Sequence, residues 1–426
     1  MIGRISRNYL SAFLFLFWAA PTALLQAQGR HEEEEYDDPD PWTGFEDSGS
    51  GPDSAAVARF LGALAASDPT ICHLAVRSVG NNWNWDGDGD GMLDRDAAEL
   101  TQHAALSHRV TDPAALARLS QSLGDQKPCL RRAAARMLGN SGQADAVNLL
   151  RAALRSSDPR AREAGALGLA AAEDPAAFHD LAHALKDSEP AVARMAAYAL
   201  GDLEDARAVK PLSQLLRAKD ARTRATAARA LGEIEDIRAV EALTRLVGDD
   251  DPLVRVATIE ALGEIEDYRA GPPLTEALRD EDRSVRRAAA EALGDVEFRG
   301  AADALARAID DRDPVVRRLA AEALGEQDGV KRAPPRLVTA LTDPDPVLAT
   351  IAAKALGEIG DTATVPALTV AYTSTDPRFR FAVIQALADM DDGRVYATLA
   401  LARRDRDRIV RHTAAKALKD RDDDDD

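Results

Sequence analysis

The sharpest candidate for chemistry in this chain is Asp86-Gly87-Asp88-Gly89-Asp90-Gly91-Met92-Leu93-Asp94. Carboxylates at loop positions 1, 3 and 5, a turn-forming glycine at 6 and a carboxylate at 9 are what a calcium loop needs. Position 12 holds Ala97 where a bidentate acid is usual, so Asp96 or Glu99 must stand in for it. A flexible Gly/Asp turn is the competing reading. Calcium is the one cofactor the sequence offers, and its expected role is to fasten the segment, not to switch it. Cys72 and Cys129 are the only cysteines. In an exported protein an even count favours a disulfide, here a staple across the segment that carries the aspartates. Such a bond would add about 2–4 kcal/mol. His179 and His183 are four residues apart, as zinc ligands can be, but no third ligand accompanies them. No nucleophile elbow, phosphate loop or metalloprotease motif is present, and no catalytic residue is expected.

These residues are set against a repeat. From Pro128 onward, the phrase acidic-Pro-x-x-Arg-x-x-Ala-x-x-Ala-Leu-Gly recurs every 31 residues, with one step of 32. Its leucine falls at Leu138, Leu169, Leu200, Leu231, Leu262, Leu293, Leu324, Leu356, Leu387 and Leu418. A fixed period of this size marks a solenoid, which grows by adding units and not by enlarging one core. The expected fold is all-α, a right-handed α-α superhelix of about ten to twelve helical hairpins.

The unit at 249–282 shows how each hairpin is specified. Asp251 before Pro252 is an N-cap followed by proline at the first helical position. Val254, Ala257, Ala261 and Leu262 form an apolar stripe at helical spacing. Gly263 is expected to end the helix, with Glu-Ile-Glu-Asp as the turn beyond it. Arg269 to Leu278 then forms the partner helix, with Pro272 and Pro273 in its first turn. Small alanines let neighbouring helices approach closely, so large replacements there would overpack the seam by about 1–3 kcal/mol.

The array resembles HEAT repeats, specifically the short HEAT-like repeats of phycobilisome lyases, over Asp125 to its end. The resemblance implies that the Val-Arg-x-x-Ala-Ala helix lines the concave face. It also implies an Asp–Arg ladder that stitches successive units. Arg131, Arg162, Arg224, Arg255, Arg286, Arg317, Arg380 and Arg411 occupy the arginine slot, broken at Ala193 and Ala349. Asp125, Asp187, Asp249, Asp280, Asp311, Asp343 and Asp405 occupy the acidic slot six residues earlier. HEAT-like repeats also build deoxyhypusine hydroxylase, whose iron is held by recurring His-Glu pairs; here His-Glu occurs once, at His31-Glu32. The aspartate loop is similar to EF-hand and related extracellular calcium loops.

Two positions per inner helix, four residues apart, are expected to face away from the stack. In order they are Arg132 and Arg136, Glu163 and Leu167, Arg194 and Tyr198, Ala225 and Arg229, Val256 and Glu260, Arg287 and Glu291, Arg318 and Glu322, Thr350 and Lys354, Phe381 and Gln385, His412 and Lys416. The first repeats thus carry a basic track with one tyrosine. A concave groove for an acidic or extended partner would be anchored by Arg132, Arg136, Arg194, Tyr198 and Arg229, side-chain types enriched at binding hot spots. A solvated helix face is the competing reading, and the middle Arg/Glu pairs can simply neutralise each other.

Net charge is −19, which argues against non-specific binding of nucleic acid or anionic membrane. Residues 1–27 read as a signal peptide: Arg4 and Arg7, an apolar run from Leu10 to Ala20, then Leu25-Gln26-Ala27. After cleavage no membrane insertion is expected, and the protein would work in the periplasm or outside the cell. Residues 28–54 read as a disordered acidic leader. Residues 55–124 read as divergent capping repeats with the Asp/Gly-rich insertion, 125–420 as the array and 421–426 as an acidic tail. The function expected is a non-catalytic scaffold for a protein or peptide partner. The alternative is an enzyme or enzyme subunit that modifies a protein, as the bilin lyase and isomerase relatives do.

Overall fold

Aspartates start the long helices. In the computed structural model, which describes residues 52–67, 109–327 and 329–424, the side chains of Asp158, Asp220, Asp251, Asp282, Asp313, Asp345 and Asp376 accept from backbone N–H groups of the first turn. Each satisfies a donor that has no partner within the helix. Lys127 cannot do this, and neither Lys127 nor Glu189 caps its helix through the side chain. Ten long helices follow the sequence period, from Pro128–Gly139 through Pro252–Glu264 to Arg408–Asp424. A 3-10 turn and a short helix, such as Tyr268–Ala270 and Gly271–Ala277, complete most units. Two further helices, Ser54–Ala66 and Pro113–Ser122, cover the N-terminal end of the array. The Asp86–Asp94 loop, Cys72, the signal segment and the leader before Pro52 lie outside the described residues.

Every repeat leucine from Leu138 to Leu387 has no exposed surface, whereas Leu418, in the last described helix, is half-buried. Each long helix packs along the next, while successive short helices barely touch. A stack drawn tight on one side and open on the other curves toward the tight side. The long helices therefore line the inner face.

The glycines of Leu-Gly make that tightness, and here the expectation from sequence needs correction. Gly263 does not end its helix; it lies inside Pro252–Glu264. A Cβ on Gly263 would lie 3.1 Å from Ala292 Cα, and one on Gly232 or Gly357 would lie 2.8 or 2.7 Å from the backbone of the next long helix. The glycine is thus a notch for the neighbouring helix, not a C-terminal stop. The left-handed residue that does end the helix comes three positions later, and it is usually glutamate. Glu173, Glu204, Glu235 and Glu266 have φ between 47° and 53°, while Gly142 and Gly360 use glycine in that slot. A side chain in this conformation costs about 1–2 kcal/mol. Glu235→Gly should therefore raise the unfolding free energy, by about 0.5–1 kcal/mol after the added entropy of the unfolded chain. Chemical denaturation of wild type and variant checks this.

The last helix runs into the terminal aspartates, to Asp424. Arg421 of that helix donates to the carbonyls of Leu387, Ala388 and Met390, closing the C-terminus of the previous long helix. No described helix is long and apolar enough to cross a membrane.

Candidate functional site

Two rows of arginine tie the units together, and they decide which charges remain for a partner. In the first row the guanidinium donates to two carbonyls of its own repeat and reaches an aspartate 25 residues on. Arg162, Arg224, Arg286 and Arg380 each grip both carboxylate oxygens of Asp187, Asp249, Asp311 and Asp405, at 2.7–3.0 Å. Arg255 reaches Asp280 at 2.9 Å. Tyr372 also donates to Asp405 at 2.6 Å. Two rungs lack both members, with Ala193 matched to Ala218 and Ala349 to Ser374; Arg131 has Ser156 in its acid slot and lies 4.0 Å from Glu163 instead. Arg317 has no ion pair with Asp343, because the 32-residue step moves that aspartate one position out of register.

The second row begins one residue later and ends on the next N-cap. Arg194 pairs with Asp220 at 3.0 Å, Arg287 with Asp313 and Arg318 with Asp345. It bridges the junction the first row leaves open at Ala193 and the one Arg317 misses. Arg287, with help from backbone N–H groups, holds Asp313 down to about 2.

The expected basic track therefore changes character. Arg194 is committed to Asp220, and Arg229 stands 3.9 Å from Glu260. Leu167 and Ala225 are buried instead of presented. Arg132 is exposed; Arg136 and Tyr198 are half-buried. Burial and the charges of Asp202 and Glu233 push the Tyr198 phenol up to about 12, with Arg136 acting the other way. Cys129 is half-buried in the first turn of Pro128–Gly139. His179 and His183 are exposed on a short helix, and no cluster of three metal-ligating residues occurs among the described residues.

A third position on the same face escaped the sequence analysis. One turn beyond the second expected position, the residue after Leu-Gly is acidic in successive units: Asp202, Glu233, Glu264, Asp295, Glu326 and Glu358. Each ends or nearly ends a long helix, where the helix dipole opposes a negative charge. The side chains of Glu233, Glu264, Glu326 and Glu358 reach back over the glycine notch of the preceding unit. Glu260, Glu291 and Glu322 run alongside one turn earlier. Glu233, Glu264, Asp295 and Glu326 have no hydrogen-bond or ion-pair partner among the described residues. All four are exposed to water, but each lies with one side against the glycine of the preceding unit, so their burial is partial. Burial, followed by the neighbouring carboxylates, raises Glu233 and Glu264 to about 7 and Asp295 to about 6. Asp202, Glu260, Glu291 and Glu326 move the same way, with burial again the first cause. The recurring Leu-Gly-acid triplet was the available signal. Placing the helix end at glycine assigned that acid to the turn.

These shifts set a pH dependence. A carboxylate raised in the folded state binds its proton more tightly there than in the unfolded chain, so stability falls as pH rises from the ordinary value near 4 to about 7. Asp313 works in the opposite sense, contributing stability that is lost as pH falls toward 2. The melting temperature should therefore peak near pH 4 and decline from there toward pH 7. The variant Glu233→Gln/Glu264→Gln/Asp295→Asn should flatten the decline above the maximum, as read by scanning calorimetry across pH.

A family profile for HEAT repeats matches this chain in eight overlapping stretches that run from 91–170 to 334–419. The chain belongs to the HEAT-repeat family. No curated protein matches it. Among solved structures it is similar to a chain of the Kap95p complex with RanGDP, with TM-score 0.53 and 15% identity over 86% of this chain and 60% of that one. It is also similar to an engineered protein, with TM-score 0.45 and 23% identity over 71% and 98% of the two chains. The CpcE–CpcF complex of phycocyanin lyase from Nostoc sp. PCC7120 matches with TM-score 0.33 and 25% identity over 60% and 92%. These likenesses carry the fold and nothing finer.

Proposed function

We propose that this chain is an exported, non-catalytic scaffold that holds an extended protein or peptide partner along its long-helix face. The observation that supports this most is the run Glu233, Glu264, Asp295 and Glu326: one unpartnered carboxylate per unit over four consecutive units on one face. Unpaired charges set one repeat apart suit an extended segment with basic side chains at matching intervals, because each new ion pair offsets a repulsion already present. Arg132, Arg136 and Tyr198 mark the N-terminal end of the same face, where the partner's polar or acidic flank would sit. Arg194 and Arg229 shape this stretch but are partly neutralised by Asp220 and Glu260. Calcium held by Asp86, Asp88, Asp90 and Asp94, and a Cys72–Cys129 disulfide, would fasten the N-terminal end of the scaffold.

A pull-down from the envelope fraction tests the surface. Glu264→Lys/Asp295→Lys should release the captured protein, and Arg132→Glu/Arg194→Glu should weaken its retention; unchanged capture by both would sink the proposal. Turnover of any partner by the pure protein would overturn its non-catalytic part. For the loop, calorimetry should show calcium binding by wild type and its loss in Asp88→Ala. No wild-type heat at millimolar calcium would end that claim.

A further inference from the structure

The short-helix side holds a local cluster of cations. Between the short helices Val209–Leu215 and Val240–Thr244 lies an open cleft of about 500 Å³, lined by Arg207, Lys210, Gln214, Arg217, Arg238, Arg245 and one carboxylate, Glu241. Five cations in one cleft are unexpected on a chain whose net charge is −19. Three of them are held in place. Asp205 grips Arg207 and Asp236 grips Arg238, through contacts that include 2.8 and 2.9 Å bonds to each Nε. Arg207 also stacks on Phe178 at 4.3 Å, and Arg245 pairs with Glu241. Those pairs spend part of each guanidinium and fix its plane, leaving further N–H groups to donate. Lys210 and Arg217 have no hydrogen-bond or ion-pair partner among the described residues, and both are exposed. Two uncompensated cations are therefore flanked by three pre-positioned arginines, while Gln214 supplies a neutral donor between them.

We propose that this cleft is a binding site for a small ligand carrying two adjacent phosphate groups. Planar guanidinium groups fixed by carboxylates suit the bidentate geometry of phosphate oxygens, and the ammonium of Lys210 adds a mobile point charge. Lys210 and Arg217 lie seven residues apart along the same side of the cleft, with Gln214 between them in sequence, so a diphosphate offers one anionic group to each. This site is independent of the long-helix face and stands whether or not that face binds a protein.

Titration calorimetry of the full chain with inorganic pyrophosphate, in magnesium-free buffer, tests it. Wild type should bind one equivalent, with affinity that falls as salt rises. The exposed double variant Lys210→Glu/Arg217→Glu should bind about 100-fold more weakly, about tenfold for each cation removed. Lys354→Glu, on the long-helix side, should bind as wild type does. Inorganic sulfate should bind at least about tenfold more weakly than pyrophosphate, since it spans one cation only. Pyrophosphate should also protect Lys210 from amine acylation, read by mass spectrometry. Equal affinity for sulfate, unchanged binding by the double variant, or acylation of Lys210 that pyrophosphate does not slow would each overturn the proposal.

Discussion

Arg286→Met should destabilise the array by about 3–5 kcal/mol, far more than the loss of a surface ion pair. Arg286 is 3% exposed. It grips both oxygens of Asp311 at 2.9 and 3.0 Å and donates to the carbonyls of Asp280 and Glu281. Methionine fills much of the volume but leaves two carbonyls unsatisfied and the Asp311 carboxylate with only the Asp313 N–H as donor, each at a desolvation cost. Asp311→Ala should be similarly severe, because it strands the buried guanidinium. Arg245→Met, at an exposed pair on a short helix, should change stability by less than about 0.5 kcal/mol. In a solenoid each unit is stabilised by its neighbours alone, so a weakened junction should separate the melting of units on either side. Calorimetry of Arg286→Met should therefore show two transitions, or one much broader transition, where wild type shows one.

Gly232→Val should cost about 3 kcal/mol, at the upper end for overpacking. A Cβ at Gly232 would lie 2.8 Å from Ala261 Cα, an atom that cannot move without its helix, and would also strike the Glu264 carboxylate. Relief requires the two long helices to part and the inner face to open. Gly248→Val is the control: a Cβ there meets nothing within 4 Å. The expected contrast is a large fall in urea midpoint for the first variant and a small change for the second. Equal effects would mean that the loss reflects glycine chemistry in general and not the seam.

The period of the array made its helices legible because each signal is local. An N-cap aspartate, a proline at the first position and an apolar stripe at helical spacing act within a few residues. The Asp–Arg ladder was likewise readable once the family resemblance supplied the register, since its slots recur at fixed spacing. The glycine was misread because its reason is not local. At the end of an apolar stripe, Gly263 looks like a helix stop, but the contact that requires it comes from Ala292, 29 residues away. That single displacement hid Glu233, Glu264 and Asp295, whose triplets were plain in the sequence. The pairing of Arg194 with Asp220 was hidden for the same reason: a free arginine and one held by the next unit have the same local sequence. Where charge would remain unpaired could be seen only after the stack was built.

Site-specific photo-crosslinking in intact cells tests the central claim most directly. A benzophenone side chain would be placed at position 260 or 291 on the long-helix face, and at 241 or 276 on the short helices as controls; Glu260, Glu291, Glu241 and Glu276 are all exposed. Irradiation should give one discrete protein adduct from positions 260 and 291, lost in Glu264→Lys/Asp295→Lys, and none from 241 or 276. Adducts formed only from the short-helix positions, or formed equally from both faces, would contradict a partner held along the long helices.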